Sequence, residues 1–206
     1  RGGLIVLPTG TGKSLVMGEI ARWWLENRKG GVGIASHRIE LVKQNAAEFD
    51  NHMGKRGMCH IELGSEFRMS ERDWDNVRKG GVVSFTVQTL QNSRIRKAGA
   101  DTIGLVLFDE THRAKLKGQY ATIREYFGCK VVGLTATPDR TDGQGLVPNM
   151  FDEVWYGHKE GQLLNDFVEQ GWLTPPRIQH VHVKSLQLQW LKGRSGKDFT
   201  NEQVAK

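Results

Sequence analysis

An apolar run, Leu4-Ile5-Val6-Leu7, breaks into Pro8-Thr9-Gly10-Thr11-Gly12-Lys13-Ser14, and a helix-forming stretch follows at once. Strand, glycine-rich loop and helix in that order constrain this chain more than any other feature. Gly10 and Gly12 remove side chains where backbone N–H groups must turn inward around a polyphosphate, and a helix starting near Lys13 aims its positive dipole end at the same anion. In that reading Lys13 contacts the β- and γ-phosphates and the Ser14 hydroxyl ligates Mg²⁺. The strict phosphate-loop pattern wants a glycine five positions before Gly12, where this chain has Leu7. A glycine-rich turn carrying a chance lysine is the alternative, and the ordered strand, loop and helix argue against it.

Beyond the loop, Leu15, Val16, Ile20, Trp23 and Trp24 recur at near-helical spacing until Asn27-Arg28-Lys29-Gly30-Gly31 ends the pattern, which predicts a crossover helix with both tryptophans on its core face. Val32 to Ala35 reads as a short buried strand with Ser36-His37-Arg38 at its end, and Ile39, Val42, Ala46 and Phe49 mark a second amphipathic helix. The alternation implies an α/β fold, a mainly parallel sheet with helices on both faces. Met58 to Leu63 and Val82 to Phe85 are further strands, the latter turning at Thr86-Val87-Gln88-Thr89-Leu90-Gln91 toward a helix. Ser65 to Gly80 is polar, with Trp74 and Val77 as its anchors and no assigned element. Arg94, Arg96 and Lys97 could contact phosphates or form a solvated face.

Ile103 to Phe108 is apolar and ends in Asp109-Glu110-Thr111-His112. An acidic pair at the end of a buried strand costs free energy unless it is paired or metal-bound. A phosphate-loop enzyme needs both parts: a carboxylate for Mg²⁺ on a neighbouring strand, here Asp109, and a base to orient and deprotonate water, here Glu110. After a helical face at Tyr120, Ile123, Tyr126 and Phe127, the strand Lys130 to Leu134 ends in Thr135-Ala136-Thr137-Pro138. Its hydroxyls can hydrogen-bond the acidic pair or His112 and relay the state of the γ-phosphate. Phe151 to Tyr156, a helix over Gln162 to Gln170 capped by Gly171, and a strand over Arg177 to Val183 close the pattern, and His180 and His182 read as exposed strand residues rather than metal ligands.

Composition excludes several classes. No run approaches the length of a membrane-spanning helix, and no basic-then-apolar signal segment opens the chain. Cys59 and Cys129 lack C-x-x-C spacing, so reduced core thiols are expected rather than a disulfide framework or zinc site. A net charge of +6 and pI ≈ 9.4 suit a polyanionic partner. The location expected is intracellular, cytoplasmic or nucleoid-associated. Arg1-Gly2-Gly3 leads straight into a core-type strand, which suggests a piece of a longer protein.

Taken together, these segments resemble the first RecA-like domain of a superfamily 2 DNA or RNA helicase, in the group of restriction-enzyme translocase subunits, RadD-like proteins and phage helicases. Pro8 to Ser14 is similar to motif I, Ala35 to Arg38 to motif Ia, Val83 to Leu90 to the T-x-x-T-L region, Asp109 to His112 to motif II and Thr135 to Pro138 to motif III. Gly133 to Leu146 is similar to that group's extended motif III, unlike the D-E-A-D and S-A-T of DEAD-box proteins. The resemblance implies a RecA-like P-loop NTPase over residues 1–160. Residues 161–206 would then hold the domain's last elements and the approach to a second RecA-like domain. It also implies ATP and Mg²⁺ as cofactors and nucleic acid, DNA before RNA, as partner. Ser36, Arg38, Thr86, Gln88 and Thr89 would lie near the strand's phosphates, and His112, Thr135 and Thr137 would couple the sites. Arg140 is expected on the nucleic-acid or interdomain face. The upstream glutamine segment by which the family reads adenine is missing, as are motifs IV to VI with their arginines. Two functions fit: an ATP-dependent helicase or translocase, here its ATP-binding half, or a nucleotide-gated module that clamps nucleic acid or a partner without translocating.

Overall fold

A computed structural model describes residues 2–64, 66–89, 97–113, 119–137, 146–147, 151–156, 163–175 and 177. The chain divides into two compact units, Arg1–Leu173 and Thr174–Lys206. Of the second unit, Thr174, Pro175 and Arg177 are described. Apart from Arg177, the strand expected over 177–183, with His180 and His182, lies outside the described residues, as do Leu90 to Arg96.

Among the described residues of the first unit, seven strands, β1 (Gly2–Val6), β2 (Gly31–Ser36), β3 (Cys59–Glu62), β4 (Val82–Thr86), β5 (Ile103–Phe108), β6 (Lys130–Thr135) and β7 (Glu153–Tyr156), form one sheet in the order β3-β4-β2-β5-β6-β1-β7. All neighbouring pairs are parallel. The described helices include α1 (Lys13–Asn27), α2 (Ile39–His52), α3 (Glu71–Arg78), α4 (Gln119–Phe127) and α5 (Leu163–Glu169), with a short 3-10 turn at Thr111–Arg113. Successive strand residues point to opposite faces, so the apolar strands feed two cores at once. Val83, Phe85, Val106 and Phe108 meet Trp74 and Val77 of α3 and Ile123 and Phe127 of α4. Val32, Ile34, Leu105 and Leu107 meet Met17 and Ala21 of α1 and Ala46 and Phe49 of α2 on the other face. This is the expected α/β architecture with helices on both faces.

Two local expectations change. In α1 the buried residues are Met17, Gly18 and Ala21, while Leu15 is 62% and Trp23 50% exposed. At 100° per residue, adjacent tryptophans cannot both face the sheet. Trp24 packs inward, its Nε1 donating to the Gly30 carbonyl at 3.2 Å, whereas Trp23 lies under the Arg28 guanidinium. The polar stretch without an assigned element contains α3. Ser70 opens it with a capping box: the Ser70 Oγ accepts from the Asp73 N–H at 3.3 Å, and Asp73 Oδ2 accepts from the Ser70 N–H at 2.8 Å. Trp74 and Val77 are buried as anchors.

Both cysteines are free and buried, and burial pushes both thiols up, Cys129 to about 11, which keeps them protonated and unreactive. Among the described residues no helix is long and apolar enough to cross a membrane.

Candidate functional site

Because neighbouring strands are parallel, the loop after β1 and the residues Ser36, Thr86, Asp109 and Thr135 at the ends of β2, β4, β5 and β6 emerge at one edge, the C-terminal end of the sheet, where ligands collect in open α/β folds. The registers Val6↔Thr135, Phe108↔Gly133, Ala35↔Phe108 and Ser36↔Thr86 bring the ends of β1, β6, β5, β2 and β4 side by side. The phosphate loop leaves β1 next to the Thr135–Thr137 segment, with the Leu7 N–H bonded to the Thr135 carbonyl at 3.0 Å.

Within the loop, the Pro8 carbonyl accepts from the Thr11 hydroxyl at 2.7 Å, the Thr11 N–H at 3.4 Å and the Lys13 ammonium at 3.5 Å. Gly10 and Gly12 both take φ +86°, the left-handed region that side chains disfavour. Gly12 is the N-cap of α1, so no side chain caps this helix, and no acidic residue stands in its first turn. The contrast with the capping box of α3 is physical: no side chain satisfies the first N–H groups of α1, the arrangement that can receive an anion. Thr9 and Gly10 are exposed, Lys13 and Ser14 half-buried. Beyond Gly171 (φ +77°), the Leu173 N–H bonds to the Phe167 carbonyl, and Leu173 lies against the loop, 3.3 Å from where a Cβ on Gly10 would stand.

Asp109 follows β5 and is 7% exposed. Its N–H bonds to the Ala35 carbonyl at 3.0 Å, and its Oδ2 accepts from Asn45 Nδ2 at 3.1 Å. The same nitrogen donates to Ser36 Oγ at 3.0 Å. Asn45 was not anticipated from sequence. The available signal was a polar residue one position before Ala46, inside the Val42, Ala46, Phe49 stripe of α2, a place where an asparagine must find partners.

Glu110 has φ +51°, the one non-glycine residue among those described with a left-handed backbone. Such a conformation costs about 1–3 kcal/mol and clusters at functional sites. Its Oε2 lies 3.2 Å from His112 Nδ1, which also lies 3.0 Å from Thr135 Oγ1. The Thr135 hydroxyl donates to the Thr137 carbonyl at 2.9 Å and accepts from the Thr137 N–H at 3.1 Å. With that proton committed and the carboxylate only an acceptor, His112 Nδ1 is the donor that Glu110 and Thr135 share. Thr111, fully buried, has its hydroxyl within reach of the Phe108 and Leu134 carbonyls at 2.8 and 3.1 Å and ties β5 to β6 behind this network.

On the β2/β4 side, Ser36 and Thr86 are buried, the Thr86 and Thr89 hydroxyls are 2.6 Å apart, and the Val87 N–H bonds to the Ser36 carbonyl. Arg38 and Gln88 are exposed, Thr89 half-exposed. Arg140 and Pro138 lie outside the described residues.

A magnesium ion, if bound with phosphate, needs hard oxygen donors, one or two from protein, with water and phosphate completing the shell. The Ser14 hydroxyl and the Asp109 carboxylate are such donors. Among the described residues no group of three or more His, Cys, Asp or Glu could hold a metal by itself.

A parallel sheet with an uncapped phosphate loop after one strand and an acid pair linked to a Ser/Thr strand end after another defines a RecA-like P-loop NTPase domain. The chain belongs to the family described as type III restriction enzyme, res subunit, whose model matches residues 1–140. It is 26% identical over 189 residues to a Schizosaccharomyces pombe protein whose provisional name is mitochondrial ATP-dependent helicase irc3, covering 86% of this chain and 28% of that one. Among solved structures, the Pyrococcus furiosus Hef helicase domain is similar with a TM-score of 0.65 at 26% identity, over 81% of this chain and 36% of that one. The UvsW helicase of bacteriophage T4 is similar with a TM-score of 0.58 at 26% identity, over 74% and 53%. This chain is the first RecA-like domain, the ATP-binding half, of the superfamily 2 helicase and translocase class. It spans well under two thirds of each of these relatives.

Proposed function

We propose that this chain binds ATP with Mg²⁺ and works, with a second RecA-like domain, as a nucleic-acid-dependent ATPase that moves along DNA. The observation that carries the reading is the alignment of the uncapped loop at the end of β1 with the buried carboxylate at the end of β5, one strand removed across β6. The loop N–H groups and Lys13 hold the triphosphate. Ser14 and Asp109 would hold Mg²⁺, which neutralises charge on the phosphates. Glu110 takes a proton from the attacking water, and His112 bonds the unreacting side of that carboxylate to Thr135, so a change at the γ-phosphate is felt at Thr135 and Thr137.

Along the same edge, exposed Arg38 and Gln88 with half-exposed Thr89 are the groups able to meet phosphates of a strand, while buried Ser36 and Thr86 shape those strand ends from beneath. Arg140 is proposed for the nucleic-acid or interdomain face from its place after motif III. DNA is favoured over RNA by the family's restriction-enzyme name, and a polyanion in general by the charge of +6. A nucleic-acid partner would suit a location inside the cell, in the cytoplasm or on the nucleoid.

Steady-state ATPase assays on the chain joined to its second RecA-like domain test this reading, with single-stranded DNA, duplex DNA and RNA as effectors. Stimulation by DNA above that by RNA is expected. Turnover indifferent to all three would instead support a nucleotide-gated binding module.

A further inference from the structure

Asn45 is 4% exposed, Ser36 0% and Asp109 7%, so the three side chains form a buried chain of hydrogen bonds between the ends of β2 and β5. A carboxylate only accepts, so the asparagine nitrogen, not its oxygen, must face Asp109. Both amide hydrogens are then used, one on Ser36 Oγ and one on Asp109 Oδ2. Among the described residues the hydrogen bond to the Asp109 side chain falls on Oδ2, so the lone pairs of Oδ1 are open to a ligand. The helix carrying Asn45 is fixed at a second point, where the Ser84 hydroxyl of β4 donates to the Val42 carbonyl at 3.0 Å. It also starts at Ile39, directly behind exposed Arg38.

We infer that Asn45 is a positioning residue for the metal carboxylate: it fixes the rotation of Asp109 so that Oδ1 meets Mg²⁺, and through Ser36 it makes the metal carboxylate and the nucleic-acid end of β2 one mechanical unit. This rests on the proposed nucleotide site and goes beyond it, since Asn45 touches neither phosphate nor metal. A hydrogen bond to a charged group that is lost while its partner stays buried weakens a site by about tenfold or more.

The test is binding, not turnover. The 206-residue chain is titrated with a fluorescent ADP analogue, in EDTA and then across a Mg²⁺ series. Wild-type chain that binds no nucleotide under any condition would sink the proposed site itself. Given wild-type binding, Asn45→Leu is expected to raise the half-saturating Mg²⁺ concentration about tenfold and to leave affinity in EDTA unchanged. Ser36→Ala should shift it the same way by about threefold, and should add nothing in the Asn45→Leu background, because the two act in one chain of bonds. Asn45→Ala serves if leucine overpacks the site, and Ser36→Ala, which alters no helix, decides alone if neither Asn45 variant folds. An unchanged Mg²⁺ dependence overturns the inference, and so does an equal loss in EDTA, which would mark a general structural defect.

Discussion

Glu110→Gln is expected to leave MgATP binding close to wild type and to lower turnover by about 10²–10⁴-fold, the usual cost of a lost general base. The amide keeps the size of glutamate and can still lie beside His112 Nδ1, 3.2 Å away in the wild type, but cannot take a proton from water. Backbone strain does not complicate the comparison, since Glu110 at φ +51° and a glutamine in its place bear the same penalty. The measurement is single-turnover hydrolysis alongside equilibrium binding, on the chain joined to its second RecA-like domain. Wild-type turnover in that variant would put the base elsewhere. Weak binding with normal turnover would make Glu110 a phosphate-site residue.

The second large effect concerns the 206-residue chain by itself. The transition state of phosphoryl transfer spreads charge over the γ-phosphate oxygens, and an arginine supplied from another domain is worth about 10³–10⁵ in rate. The chain holds the loop Pro8 to Ser14, the acid pair Asp109-Glu110 and Thr135, but no segment resembling the family's arginine-bearing motif VI. Alone it is expected to bind Mg-nucleotide weakly and to hydrolyse ATP slower than the two-domain protein by a factor in that range, with little response to single-stranded DNA. Robust DNA-stimulated turnover of this chain would mean that one domain, or its self-association, completes the site.

The sheet, and the placing of the candidate site residues at its strand ends, are legible in sequence because each rests on a local pattern. Ile103 to Phe108 is apolar from end to end because the strand is covered on both faces, and Gly10 and Gly12 stand where the loop takes left-handed angles. What was not legible depends on neighbours far along the chain. Trp23 and Trp24 look alike in sequence, and only the placement of Ala21 and Met17 against the sheet decides which is buried. Helix α3 has just two apolar anchors in eight residues, too few to show a period, although Ser70 and Asp73 carried the capping signal. Asn45 is separated from Asp109 by 64 positions: an asparagine inside the apolar stripe of α2 signals that it needs partners, but not that one of them follows β5.

The central claim is that the loop Pro8 to Ser14 holds the phosphates of a nucleotide. Titrating wild-type and Lys13→Ala chains with a fluorescent ATP analogue in Mg²⁺, with circular dichroism to verify folding, tests it most directly. Among the described residues the Lys13 ammonium bonds to the Pro8 carbonyl, at 3.5 Å, and is no part of the core, so its loss is expected to leave the fold intact. The predicted result is a folded variant whose affinity falls by about tenfold to a hundredfold, the worth of a charge-assisted bond to phosphate. A folded variant that binds with wild-type affinity, or a wild-type chain that binds no nucleotide, would contradict it.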